Sequence, residues 1–280
     1  MLRKKLFILP LFAFFVFVSC ENSVNNQADQ PVNAEPTKEI VVNEAQNVAV
    51  LAFTGPVATY EGYYKIMEMD DNEGLGKVAG DDVYRWNPNT GWHTWEDDLS
   101  NPAYPDAFFG HYTRGQQFFN AQGQIVKKAR DAVGLNFYYT TSGHFGYVND
   151  EPTGTSWDHG VDGSAAIVSQ TMYFTGSGQY HKIWDGYYTS PDGTFDNDLV
   201  RFETIVNVNI EELVVSKDEN GEKTAILYGD LTFEMLPWSA ELSADGSDTV
   251  TGVLKNNGQV VQELSYDVVA LLEIAQALKP

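Results

Sequence analysis

Cysteine occurs once in this 280-residue chain, at position 20. No internal disulfide is therefore available, and any fold must be held by its own core. Cations are scarce as well: 17 Lys and Arg stand against 39 Asp and Glu, for a formal net charge of −22. That balance excludes nucleic acid as a partner and disfavours adhesion to anionic lipid surfaces. The sequence contains no Gly-x-Ser-x-Gly, no His-Glu-x-x-His and no phosphate-cradling Gly-rich motif after a strand. The common signatures of a serine nucleophile, a zinc peptidase and a nucleotide site are thus missing. No sequence repeat of fixed period is present.

The start of the chain is distinctive. Arg3, Lys4 and Lys5 precede an uncharged apolar run over residues 6–18. A membrane-spanning helix needs about 20 apolar residues, so this run is short for a span. It has the length of the apolar core of a secretory signal peptide. Pro10 inside it suits a cleaved segment better than a permanent helix. The run ends Phe17-Val18-Ser19-Cys20, which resembles the lipobox of bacterial lipoproteins, with Phe17 where Leu is usual. The resemblance covers residues 1–20 only. It implies removal of residues 1–19, acylation of the Cys20 thiol and a lipid-anchored place in the bacterial cell envelope, at the outer membrane. Lipidation also accounts for a lone cysteine in an exported chain, where disulfides are otherwise favoured. Residues 20–45 are rich in Asn, Gln, Glu and Val and lack aromatics, and read as an acylated cysteine followed by a flexible tether.

Residues 46–280 read as a single mainly-β domain, an antiparallel sandwich or barrel with a short C-terminal helix. The clearest strand covers residues 200–212. Val200, Phe202, Thr204, Val206, Val208 and Ile210 share one face, and Arg201, Glu203, Asn207, Asn209 and Glu211 the other. Asn220-Gly221 and Asn257-Gly258 are hairpin turns, because Asn-Gly accepts the positive φ that such turns need. Ser190-Pro191-Asp192-Gly193 is a type I turn, and Gly176-Ser177-Gly178 is expected to reverse the chain. Residues 165–266 therefore form an antiparallel meander. Residues 49–53, 60–69 and 136–141 are further expected strands, and residues 124–133 lean to strand. Asp267 can cap a terminal helix whose Val268, Leu271, Leu272, Ala275 and Leu278 share a face.

Candidate chemistry clusters in two places. Trp86, Trp92 and Trp95 lie close together in sequence, followed by Asp97, Asp98 and Tyr104. Flat rings beside carboxylates suit sugars: the rings cover the apolar C–H face, and polar groups take the hydroxyls. Asp192, Asp196 and Asp198 share a short loop and are the candidate Ca²⁺ ligands, though without EF-hand order. His111, His144 and His159 each adjoin a glycine, and a zinc site from them requires tertiary convergence.

These features point to an envelope lipoprotein whose β domain binds a ligand of the carbohydrate class without catalysis. Two alternatives stand beside it. One is a polysaccharide hydrolase using paired carboxylates. The other is a scaffolding subunit that binds an envelope protein through its aromatics. The anchor is open to direct test. Cys20→Ala is expected to shift the protein from the membrane fraction to the soluble fraction of cell extracts. Retention of the variant in membranes would refute lipid attachment.

Overall fold

The computed structural model describes residues 31–71, 83–99, 107–146, 153–190, 193–194, 196–217 and 223–277. It opens with a two-residue strand β1 (Val32–Asn33) and a long helix α1 (Lys38–Asp71). Six strands follow: β2 (Val83–Asn87), β3 (Trp92–Leu99), β4 (Phe108–Phe119), β5 (Ile125–Val126), β6 (Gly134–Phe145) and β7 (Gly154–Val168). The second half holds β8 (Thr171–Tyr188), β9 (Asp198–Lys217), β10 (Lys223–Met235), β11 (Trp238–Asp245), β12 (Thr249–Asn256) and β13 (Gln259–Asp267). Helix α2 (Val268–Ala277) closes the described chain. No described helix is long and apolar enough to cross a membrane.

All thirteen strands belong to one sheet, ordered β13-β12-β11-β10-β9-β8-β7-β6-β4-β3-β2. Every neighbour in that order is antiparallel. β5 pairs with β4, and β1 adds to β9 in parallel. The mainly antiparallel β fold with its terminal helix is as the sequence indicates. The sheet, however, is neither two packed layers nor a closed ring, because β13 and β2 end the order without pairing with each other.

What fills the concave side is α1. At about 1.5 Å per residue its 34 residues run about 50 Å. From Val48 to Tyr63 all its side chains are buried except those of Thr54 and Glu61, which are half-buried. A helix packed against one flat surface buries one stripe. Burial on all sides requires the sheet to curl around it and α2 to cover part of what the sheet leaves. Gly55 marks the closest approach, where a β-carbon would collide with Val161 of β7.

This helix corrects three expectations. Residues 49–53 and 60–69 are helical, not strands. The tether expected over residues 20–45 joins the fold from Val32 onward. In that segment Ile40, Val41, Glu44, Ala45 and Val48 form a buried stripe while Asn43 and Gln46 face out. Thr37 caps the helix, its hydroxyl accepting from the Ile40 amide at 3.4 Å. The Trp238 indole donates to the Pro36 carbonyl at 3.0 Å and fixes the entry.

The strands also differ in detail from expectation. Residues 200–217 form one strand with a bulge at Glu211 and Glu212, where β9 holds one more residue than β8 or β10. The extra residue switches the inward parity from Ile210 to Leu213 and Val215. Gly176 and Gly178 do not turn the chain: β8 runs straight through them. They are small because β7 lies close, and a β-carbon on Gly178 would sit 2.6 Å from the Gly160 carbonyl. The true turn is Ser169-Gln170, with Ser169 at φ 56°. Residues 124–133 divide between β5 and a 3₁₀ turn at Ala129–Asp131. Asn257-Gly258 turns β12 into β13 with φ of 48° and 76°. The Asn220-Gly221 turn and Leu278 lie outside the described residues. Asp267 caps α2 by accepting from the Ala270 amide at 2.8 Å, and Val268, Leu271, Leu272 and Ala275 are buried as expected.

One ion pair lies deep between helix and sheet. Lys182 Nζ of β8 reaches Glu44 Oε1 of α1 at 2.5 Å, with side chains only 8% and 2% exposed. Removing one member strands the other charge out of water, which costs about 3–5 kcal/mol. Glu44→Gln and Lys182→Met are each expected to lose that much in urea unfolding. The double variant Glu44→Leu/Lys182→Met is expected to recover most of it. A single variant within about 1 kcal/mol of the parent would show that the pair is not desolvated.

Candidate functional site

Alternation along the β2–β3 hairpin decides where the expected site residues go. Trp86 pairs with His93 and Tyr84 with Trp95, so these four share the inner face. Trp92 pairs with Asn87 and points outward. The three tryptophans therefore do not form one platform. Trp95 is fully buried, with the Arg114 guanidinium 4.9 Å from its ring. Arg114 Nη1 also donates to the Ala58 carbonyl of α1 at 3.2 Å. Trp86 lies under the Lys127 ammonium at 4.4 Å. Tyr84 hydroxyl and His93 Nδ1 share a 2.8 Å hydrogen bond in the same cluster.

Asp97 and Asp98, adjacent on a strand, leave opposite faces of the sheet. Asp98 is exposed and its Oδ1 accepts from His111 Nδ1 at 2.9 Å. Asp97 begins an inner-face row that continues through Tyr112, Thr141, His159 and Tyr180 on successive strands. Tyr104 and Asp192 lie outside the described residues. Asp196 and Asp198 are exposed, and Asp198 Oδ2 accepts from the Asp196 amide at 3.2 Å. Among the described residues no three or more His, Cys, Asp or Glu are grouped to hold a metal. The tertiary convergence that a histidine zinc site requires does not form: His111 and His144 face outward, whereas His159 is buried inside.

The outer face holds an arrangement that only cross-strand register reveals. Trp92 of β3 and Tyr138 of β6 meet over Gly115 of β4, with ring centroids 5.2 Å apart and planes inclined at 54°. Gly115 makes the meeting possible. A β-carbon there would run into the Tyr138 ring and stand 3.0 Å from the Trp92 ring. Both rings lie over backbone and remain half-exposed. Such a pair on a glycine exposes aromatic surface while keeping its orientation fixed.

Polar groups surround the pair. Gln117 is in register with Trp92, Asn136 with Gln117, and Asp162 with Tyr138. Gln117 Nε2 donates to the Thr90 carbonyl at 2.6 Å, which holds the amide beside the indole. Glu96 lies on the same face and is ion-paired with Arg85. Burial first, and then the Glu96 charge, raise the Tyr138 hydroxyl above its ordinary titration range. The hydroxyl is thus a neutral donor at physiological pH. Stacking surface, amides, a phenol and carboxylates are the groups that suit contact with a polyhydroxylated molecule. Trp92 was legible in the sequence. Tyr138, Gly115, Gln117 and Asn136 were not, because their juxtaposition depends on register between strands far apart in the chain.

The inner face carries a different chemistry. His159 Nδ1 donates to the Gln179 carbonyl at 3.1 Å, which leaves Nε2 as the lone-pair nitrogen. That Nε2 is buried and has no hydrogen-bond partner among the described residues. Burial pushes both His159 and His93 down to about 4. An imidazole in the unfolded chain takes its proton near 6.5, so between these values the unfolded state binds more protons. Stability therefore falls as pH drops from about 6.5 toward 4. His159→Gln is expected to flatten this dependence by one proton, about 1.4 kcal/mol per pH unit. Urea midpoints at pH 7, 5.5 and 4.5 measure it. Equal slopes for parent and variant would contradict a neutral buried His159.

Comparison with known proteins finds no family model that matches the chain and no match among curated proteins.

Proposed function

We propose that this chain is a lipid-anchored protein of the bacterial envelope that binds carbohydrate, without catalysis, on the outer face of its sheet. The observation that carries the binding reading is the Trp92–Tyr138 pair seated over Gly115, with Gln117, Asn136 and Asp162 around it. Aromatic faces cover the apolar side of a pyranose, and the flanking amides and carboxylate take its hydroxyls. The anchor reading rests on Cys20 and the leader before it. Twelve Cα-to-Cα steps separate Cys20 from Val32, which at about 3.5 Å each allow a reach of about 40 Å. The domain would thus work close to the membrane surface.

The hydrolase alternative needs two carboxylates facing one another beside residues 86–95, and Asp97 and Asp98 point to opposite faces of β3. The Ca²⁺ alternative has Asp196 and Asp198 spread on an exposed loop, where Asp198 already accepts a backbone amide. A glycan array probed with the chain from residue 21 onward tests the binding reading. Binding to at least one neutral glycan is expected, with a loss of tenfold or more for Trp92→Ala and for Tyr138→Ala. Failure to bind any glycan, or binding that both variants retain, would overturn it.

A further inference from the structure

The surface beside the aromatic pair is unusual in a chain this acidic. Two adjacent outer-face rows cross the sheet from β4 to β10 and a third from β4 to β8, and their side chains are mostly Ser, Thr, Asn, Gln and Gly. The central row passes from Tyr138 through Asp162, Ser177 and Asn209 to Asp230. Beside it, Thr140, Gly160, Gln179, Asn207 and Thr232 lie in register on five successive strands. On the other side Asn136, Ser164 and Thr175 do the same. None of the residues named in these rows is Lys, Arg or His.

These side chains are ordered against one another. Gln179 Nε2 donates to Asn207 Oδ1 at 3.2 Å, and Asn207 Nδ2 to Thr232 Oγ1 at 3.5 Å. Thr113 and Thr140 share a hydroxyl bond of 2.6 Å, and Ser164 and Thr175 one of 3.2 Å. The rows thus offer donors and acceptors in fixed order, with little side-chain freedom left to lose on binding.

From this we infer that the ligand is a linear neutral polysaccharide that lies across the strands, from the Trp92–Tyr138 pair toward Asn207 and Thr232. The inference rests on the carbohydrate reading of that pair and extends it to several sugar units. Spacing supports it: strands lie about 4.8 Å apart, and a pyranose in an extended chain advances by about the same distance. Each successive sugar meets the polar side chain of the next strand. Six strands, β4 to β10 without β5, span about 24 Å, room for about five units. Charge selects against acidic polymers. Asp162 and Asp230 line the central row, and a polyanion laid along it would meet like charge without a compensating cation among the residues named in the rows.

Calorimetry with neutral cello-, laminari- and manno-oligosaccharides of two to eight units tests the inference on the chain from residue 21 onward. Affinity for the recognised series is expected to rise at least tenfold from the dimer to the hexamer and then level off. Gln179→Ala/Asn207→Ala is expected to remove that increment and leave dimer binding unchanged. Ser177→Lys, which lays a long side chain across the central row, is a second variant with the same expectation. Polygalacturonate is expected not to compete. Equal affinity for dimer and octamer, or full competition by polygalacturonate, would overturn the extended neutral ligand while leaving a sugar site at Trp92. Binding of no oligosaccharide of any length would overturn the carbohydrate reading itself.

Discussion

A helix that must be buried on every side sets the shape of this molecule. From Val48 to Tyr63, α1 presents apolar residues in all directions around its axis. One flat sheet face covers only part of such a helix, so the sheet has to bend toward it and α2 has to cover the remainder. Bending a twisted sheet needs places where backbones approach closely. Gly163, Gly176 and Gly178 on β7 and β8 and the extra residue in β9 supply them. The helix and the sheet are therefore one design. Without the helix the concave face would be an open apolar trough, and without the curl the helix would be half bare.

The same contact is not held by apolar packing alone. Lys182 reaches Glu44, Arg114 reaches the Ala58 carbonyl, and Gln116 Nε2 donates to the Thr59 carbonyl at 2.7 Å. Tyr60 hydroxyl donates to the Gln170 carbonyl at 2.8 Å, beyond the end of β7. Apolar contacts are non-directional and allow a buried helix to slide or rotate. These polar contacts fix its axial position and its rotation relative to β4 and β8. They also make the inner face the place where ionisable groups are insulated from water.

The sequence made legible what local rules govern. Period-two alternation placed residues 200–210 with the correct face inward, and Asn257-Gly258 and Asp267 marked a turn and a cap at the right positions. It failed where burial erases a pattern. The interior of α1 has no polar stripe, its Val and Tyr content favours strand, and Gly55-Pro56 suggests a break. The glycines at 176 and 178 answer to a neighbouring strand, which no local window contains. For the proposed binding surface, Trp92 was readable as an aromatic in a turn-rich segment. Its separation from Trp86 and Trp95 follows from alternation once the hairpin is known. Its pairing with Tyr138, 46 positions away, depends on the order of strands.

The parallel strand β1 has a mechanical meaning. Val32 and Asn33 lie alongside Val200 and Arg201, and the Ala34 amide donates to the Arg201 carbonyl at 3.3 Å. Just beyond, Trp238 holds the Pro36 carbonyl and α1 begins. Under the proposed upstream anchor, tension would arrive first at these few bonds beside β9. Only after they part would force pass to the central helix, which in turn is gripped by six or more strands. The first link to meet such a load is thus a short clasp at the entrance, separate from the outer-face rows of the sheet.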